Sequence, residues 1–142
     1  MKLLLTLLSL APLAALAAGA PPPAHGKVVL VAFTGAEDAA RLAAPYKHAL
    51  LMKQSGKLQD VAVVVYGRAV SALSTRSKGT PEPVRAAVRE AHAAGIPIYV
   101  CENSLEMAGI AAGDVVPEAQ RVPSGAVQIA QLVSEGFVPL QY

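Results

Sequence analysis

The chain has 142 residues, and its 12 basic and 10 acidic side chains leave a formal net charge of +2. This balance, with no tryptophan and only 4% aromatic residues, argues against a nucleic-acid partner, which would need basic patches and stacking side chains. The core must be built from small and aliphatic residues, and the length left after the leader suits one domain.

Residues 1–20 have the pattern of a secretory signal peptide: Lys2 supplies positive charge, a leucine-rich run follows, and residues 15–17 form a small-x-small cleavage site. An uncleaved membrane anchor is the alternative, but Pro12 interrupts the apolar run that a span requires. Residues 21–26 are expected to be a disordered leader. We therefore expect an exported protein, periplasmic or otherwise extracytoplasmic, with no stable membrane anchor after cleavage.

The first predicted elements are a strand over residues 27–33 and a helix that runs to about Gln54. The strand is a continuous apolar run, which is typical of a parallel strand buried on both faces. Thr34 and Glu37 have the spacing of a capping box and should start the helix. Pro45 should kink or split it, because proline lacks the N–H that a helix uses.

A second apolar run, residues 60–66, predicts the next strand, and residues 67–80 form a long connection with a helical turn. Thr80 should cap the following helix with Pro81 at its first position, where proline is favoured. We expect Gly95 to end that helix, since glycine readily adopts the left-handed conformation found at helix ends.

The third strand is predicted over residues 96–101. Asn103 and Glu106 again have capping-box spacing, which predicts a short helix from Ser104 to about Ala111.

The last elements are a short strand over residues 119–122, a helix capped by Ser124 that ends at Gly136, and a weak strand over residues 137–140. Three apolar residues of this helix should face the core: Ile129, Leu132 and Val133. Pro139 cannot donate a hydrogen bond to a neighbouring strand, so the last strand should lie at an edge of the sheet. Alternation of strands and helices predicts one α/β domain over residues 27–142, with a mainly parallel sheet and helices on both faces.

Cys101, the one cysteine of the chain, is the strongest site candidate. It lies at the carboxyl end of a predicted strand, where function gathers in open α/β sheets. The N–H groups of a helix that begins at Asn103 would stabilise a thiolate, while Glu102 and Glu106 would oppose its ionisation. No intramolecular disulfide is possible, and both a reactive thiol and a packed structural cysteine remain open.

The connection over residues 67–80 carries three cations that could lower the pKa of Cys101 or orient an anionic sulfur compound, unless it is only a solvated loop. The residues expected to bind substrate are Arg68, Arg76, Lys78, Asn103 and Ser104. Thr34 and Gly35 could cradle a phosphate, but no glycine-rich nucleotide motif accompanies them. The three histidines (His25, His48 and His92) form no cluster with metal-ligand spacing, so we expect neither a metal nor a cofactor.

Several stretches resemble the DsrE/DsrF-like family, which includes bacterial sulfur-relay proteins. These stretches are Tyr66-Gly67 with Ala69-Val70 after a strand, Gly95-Ile96-Pro97 before the strand that ends at Cys101, Ala108-Gly109-Ile110 at a helix end, and the closing helix and strand. The likeness covers residues 27–141. It implies a flavodoxin-like sheet of about five strands, assembly into trimers or hexamers, and a cysteine at the position of Cys101 that carries sulfur as a persulfide.

The resulting hypothesis is an exported sulfur carrier or sulfurtransferase. Cys101 would take sulfane sulfur from a small inorganic sulfur compound or a protein persulfide and pass it to an acceptor thiol. The alternative is a non-catalytic oligomeric binding module with a structural cysteine. A thiol-redox protein is a third possibility, which would need an external thiol because the chain has no resolving cysteine.

Overall fold

A sheet of five parallel strands forms the centre of the structure, a computed structural model that describes residues 26–34, 37–76 and 80–142. The strands are β1 (Gly26–Ala32), β2 (Leu58–Val65), β3 (Ile98–Cys101), β4 (Gln120–Val122) and β5 (Phe137–Gln141), in the spatial order β4-β3-β2-β1-β5. Every pairing is parallel, which confirms the predicted flavodoxin-like α/β architecture. The expected signal peptide (1–20) and nearly all of the leader (21–26) lie outside the described residues.

Helices connect the strands and complete the domain. The α-helices of the described residues are α1 (Ala39–Gln54), α2 (Glu82–Ala93), α3 (Glu102–Met107) and α4 (Gly125–Ser134). A 3-10 helix follows β2 over Gly67–Leu73, where a helical turn was predicted. None of the helices in the described ranges is both long enough and apolar enough to cross a membrane.

The direction of the crossovers explains why both faces of the sheet carry helices. The chain adds β2, β3 and β4 on one side of β1 and then returns across the sheet to place β5 on the other side. Because such crossovers are right-handed, the returning helix α4 must lie on the face opposite α1 and α2. Leu30 and Val63 pack in the core under α1 and α2, whereas Val29 and Val64 pack with Leu132 of α4. Helices on both faces are therefore confirmed.

The last strand and the last helix largely follow their predictions. β5 is an edge strand paired with β1, so the position predicted from Pro139 is confirmed. Ser124 caps α4 by accepting a hydrogen bond from the Val127 N–H at 3.4 Å. Val133 was predicted to face the core but is 46% exposed, because the helix turns about 100° per residue and the adjacent Leu132 takes the buried position.

The start of α1 differs from its prediction. The helix begins at Ala39, and the N-cap is Asp38, whose carboxylate accepts hydrogen bonds from the N–H groups of Ala40 at 2.9 Å and Arg41 at 3.2 Å. The capping box predicted at Thr34 and Glu37 was therefore wrong. An aspartate directly before the helix satisfies two of its unpaired N–H groups, and this outweighs the earlier pattern.

Two further predictions about proline and capping were also wrong in detail. Pro45 does not split α1, which is one continuous helix in which Pro45 is buried, so packing compensates for the missing N–H. α2 begins at Glu82 with Pro81 as its N-cap, one residue later than predicted. The hydroxyl of Thr80 does not cap this helix and instead donates to the Ser71 carbonyl oxygen at 3.0 Å.

Tyr46 places a polar group deep in the core on the α1 side of the sheet. Its side chain is fully buried, and its hydroxyl has no hydrogen-bond partner among the described residues. Burial raises the pKa of this phenol well above its ordinary value, because the charged form would lose its hydration. The hydroxyl therefore costs stability that the surrounding apolar contacts must offset.

We expect Tyr46→Phe to raise the free energy of unfolding by about 1 kcal/mol, because it removes an unsatisfied buried hydroxyl and keeps the ring. Denaturant unfolding of the two proteins measures the difference. Tyr142→Phe is the matched control, since its hydroxyl hydrogen-bonds His48 Nδ1 at 2.9 Å and its removal should give no gain. A loss of stability in Tyr46→Phe would contradict the expectation and indicate a water molecule bound to the phenol.

Candidate functional site

Cys101 lies where three elements meet at the carboxyl edge of the sheet. It is the last residue of β3, and it is also the N-cap of α3. The cap predicted at Asn103, with a helix from Ser104 to about Ala111, was wrong, because the chain enters the helix directly after the strand. The helix ends earlier as well, at Met107. This early start brings the first N–H groups of α3 next to the sulfur.

The start of α4 approaches the same point from the other side. A Cβ atom at Gly125 would lie only 3.2 Å from the Cβ of Cys101 and 3.0 Å from the Cβ of Tyr66. Both neighbours are anchored at the backbone and cannot swing away, so a side chain at this position would push α4 outward. Glycine at the first position of α4 is what allows its N–H to reach Cys101.

Four hydrogen-bond donors near the starts of α3 and α4 lower the pKa of the Cys101 thiol as a result. They are the hydroxyl of Ser104 and the backbone N–H groups of Asn103, Ser104 and Gly125. The Ser104 oxygen also accepts a hydrogen bond from the Gly67 N–H at 2.9 Å. Since that N–H occupies one lone pair of the oxygen, the hydroxyl proton is free to point towards the sulfur.

Burial and these donors have opposite effects on the pKa of the Cys101 thiol. Burial is the largest single influence and raises the pKa, while the Ser104 hydroxyl and the N–H groups of Gly125, Ser104 and Asn103 lower it. The donors prevail, so the pKa of the thiol lies below its ordinary value although the residue is only 5% exposed. The thiolate therefore stabilises the folded protein at high pH, and this contribution disappears as the pH falls through the folded-state pKa.

The acidic residue directly after Cys101 is partly neutralised. The Glu102 carboxylate lies 3.3 Å from the Arg121 guanidinium of β4, so its charge is shared with a cation. Both side chains are partly exposed, and solvent weakens their field further. Backbone N–H and hydroxyl dipoles, and not full charges, therefore lower the pKa of the Cys101 thiol.

The predicted substrate-binding residues do not all meet at this site. Asn103 and Ser104 contact the sulfur as described, and Arg68 lines a cavity that Ser104 also lines. Arg76 is instead ion-paired with Asp114 at 2.9 Å and is not among the described residues that line this cavity. Lys78 lies outside the described residues.

The cavity beside Ser104 has a volume of about 460 Å³ and is open to solvent. Its lining residues are Phe33, Tyr66, Gly67, Arg68, Ser104, Met107 and Ala108. The rings of Phe33 and Tyr66 pack together with their centroids 4.8 Å apart. Gly67 has a φ of +59°, and a Cβ there would overlap the Phe33 ring, so glycine keeps this wall in place.

Sequence reasoning missed Gly125 and the aromatic wall of the cavity. One signal could have found Tyr66 and Gly67: they follow β2, whose carboxyl end lies at the same edge as that of β3. The sequence signal for Gly125 is weaker and consists only of a glycine directly after the predicted cap Ser124. Its role depends on the crossover that brings α4 over β3, and no local pattern reports that approach.

A metal site is not indicated by the side chains. The described residues contain no group of three or more histidine, cysteine, aspartate or glutamate side chains able to hold a metal ion. His48 lies beside the Tyr142 ring, with the ring centroids 5.4 Å apart. His25 lies outside the described residues.

Comparison with known proteins connects this geometry to a family. The model of the DsrE/DsrF-like family matches residues 26–141. The chain belongs to the DsrE/DsrF-like family. No curated protein sequence matches the chain at a significant level. Membership in the DsrE/DsrF-like family suggests a role related to sulfur relay.

Solved structures share the DsrE/DsrF-like fold at low sequence identity. MTH1491, a protein of unknown function from Methanobacterium thermoautotrophicum, is 21% identical with a TM-score of 0.67, and the match covers 82% of this chain and 99% of that one. The ychN protein of E. coli is 18% identical with a TM-score of 0.68, with the same coverage. BT1422, a conserved protein of unknown function from Bacteroides thetaiotaomicron, is 16% identical with a TM-score of 0.58 and coverages of 87% and 100%. At these identities the likeness extends to the fold alone.

We expect Ser104→Ala to raise the pKa of Cys101 towards its ordinary value, because it removes a hydroxyl that donates to the thiolate. The pH dependence of alkylation by iodoacetamide measures the inflection. In the native protein the inflection should lie below that of the same protein unfolded in denaturant.

Ser134→Ala is the control for this change, since its exposed hydroxyl donates to the Gln131 carbonyl at the far end of α4. It should leave the inflection unmoved. A native inflection equal to that of unfolded protein, or one that Ser104→Ala does not shift, would show that the donors do not govern the thiol.

Proposed function

We propose that this protein carries sulfane sulfur as a persulfide on Cys101 and transfers it to an acceptor thiol. The observation that supports this most is that the starts of α3 and α4 both lie against Cys101, where their donors lower the pKa of the thiol. A packed structural cysteine needs no such donors, because a neutral thiol behaves as a small apolar residue. A nucleophilic thiolate does need them, since it is buried at the carboxyl edge of the sheet.

The transfer consists of two displacement steps that leave the oxidation level of the protein unchanged. In the first, the Cys101 thiolate attacks the terminal sulfur of a donor R–S–SH, the donor S–S bond breaks, and R–S⁻ leaves. In the second, an acceptor thiolate attacks the terminal sulfur of Cys101–S–SH, and the Cys101 thiolate is the leaving group. The same four donors assist both steps, because they stabilise Cys101 as nucleophile and as leaving group.

The low exposure of Cys101 supports a second candidate function, that of a non-catalytic binding module. Cys101 is only 5% exposed, as expected for the structural cysteine of a non-catalytic binding module. The cavity that Ser104 lines offers an approach from one side. Titration with a thiol reagent separates the candidates: a binding module would react only after unfolding, whereas a sulfur carrier reacts in its native state.

Incubation with polysulfide should add the mass of one sulfur atom to the native protein, and a thiol reductant should remove it, because sulfane sulfur is bound through a reducible S–S bond. Intact-protein mass spectrometry measures the gain. The Cys101→Ser variant is the matched control and should gain nothing. The carrier function is rejected if the native protein gains no sulfur or if the variant gains as much.

We also propose that the protein is exported and forms a homo-oligomer, a trimer or hexamer, with a sulfur compound or a protein thiol as its partner. The signal-peptide pattern of residues 1–20 supports export. Exposed apolar side chains on α4 and β5 support assembly, because a monomer gains nothing by leaving them in water. These side chains are Val127, Val133, Val138 and Leu140.

Export and oligomerisation each predict a protein mass, and both masses can be measured on one sample. Protein recovered from the periplasm of an exporting bacterial host should lack the first 20 or so residues by denaturing mass spectrometry. Native mass spectrometry should give three or six times that chain mass. Retention of the full chain in the cytoplasm would refute export, and a monomer at micromolar concentration would refute assembly.

A further inference from the structure

The cavity beside Ser104 has the properties of a pocket for an apolar organic group and lacks those of an anion site. Its volume of about 460 Å³ falls in the usual range for small organic ligands, which is roughly 300–1,000 Å³. Phe33 and Met107 present apolar surface to solvent there, with exposed fractions of 47% and 90%. A small inorganic sulfur anion would fill little of this volume and would contact mostly carbon.

Charge in the cavity also disfavours an inorganic anion. Arg68 is the one cationic side chain among the described residues that line it, and its guanidinium is ion-paired with the Glu37 carboxylate. An anion would have to compete with that carboxylate for the same cation. Glu37 itself would repel an anion that approached Arg68 from the solvent.

Two lining residues, Ser104 and Tyr66, connect the cavity to the position of Cys101. Ser104 lines the cavity and its hydroxyl lowers the pKa of Cys101, and Tyr66 lines the cavity while its Cβ lies, like that of Cys101, against Gly125. A ligand whose apolar body rests on Met107 and Phe33 would therefore direct a terminal sulfur towards Ser104 and Cys101.

We propose that this cavity binds the apolar substituent of a low-molecular-weight organic persulfide, R–S–SH, and presents its terminal sulfur to Cys101. This inference rests on the proposed carrier function for the transfer itself, whereas the binding of the apolar group stands on the cavity alone. In the transfer, the S–S bond of the ligand breaks, the terminal sulfur joins Cys101, and R–S⁻ remains in the cavity as the product to be released. An organic persulfide is therefore the donor that this site prefers over an inorganic one.

A matched pair of donors tests the preference. Phenylethyl persulfide and hydroxyethyl persulfide, each released in solution from a protected precursor, present the same reactive sulfur on an apolar or a polar body. Single-turnover loading of Cys101 should be at least about tenfold more efficient for the phenylethyl donor, from the burial of its ring. Equal efficiency for the two donors would overturn the inference while leaving the carrier function intact.

Substitutions test whether the preference for the phenylethyl donor arises in the cavity. Met107→Gln removes an exposed apolar lining side chain without disturbing the core, and it should narrow the ratio between the two donors. Leu51→Gln is the matched control, since Leu51 is 63% exposed on α1 and is not one of the described lining residues. The inference fails if both substitutions leave the ratio unchanged, or if both reduce it equally.

A binding measurement separates this inference from the carrier function. In Cys101→Ser protein, phenylethanethiol cannot react, and it should shift the isotope-labelled methyl resonance of Met107 in the NMR spectrum. Met52, partly buried on α1, is the internal control and should not move. Absence of a Met107 shift up to the solubility of the thiol overturns the cavity assignment. A shift without sulfur loading of the native protein would uphold the cavity and reject the carrier.

Discussion

The close approach of α4 to the end of β3 is the constraint on which the site depends. It exists because Gly125 has no Cβ, so that the helix can begin against the Cβ atoms of Cys101 and Tyr66. The return crossover from β4 to β5 carries α4 over the face of the sheet opposite α1, and only that path brings its first N–H to the sulfur. A sulfur at the end of β3 would otherwise meet the donors of α3 alone.

Nearby N–H and hydroxyl dipoles, and not charged side chains, dominate the electrostatics at the Cys101 sulfur. Two ion pairs lie nearby, Arg68 with Glu37 and Glu102 with Arg121, and their side chains remain partly in solvent. Cys101 is largely shielded from water, and N–H and hydroxyl groups lower the pKa of its thiol. Such a site favours a thiolate without attracting anions over a distance, which agrees with a cavity whose walls are mostly apolar.

The prediction of elements succeeded where hydrophobic patterning was strong and failed at the starts of α1, α2 and α3, whereas the Ser124 cap of α4 was predicted correctly. Continuous apolar runs located the strands, because a parallel strand buried on both faces leaves little choice of residue. Capping-box spacing at Thr34 and Asn103 was misleading, since Asp38 and Cys101 took the cap positions. Several residues near a helix start can satisfy the same N–H groups, and the turn of the chain selects among them.

The sequence by itself determined a parallel α/β sheet, the order of its elements, the edge position of β5 and the place of Cys101 at a strand end. These follow from local periodicity and from the chemistry of proline, which act within a few residues. Only the tertiary structure decided that Arg68 lines the cavity while Arg76 pairs with Asp114, that Gly67 hydrogen-bonds Ser104, and that Gly125 lies against Cys101. Those contacts join residues that are distant in the chain, and their geometry depends on how the crossovers pack against the sheet.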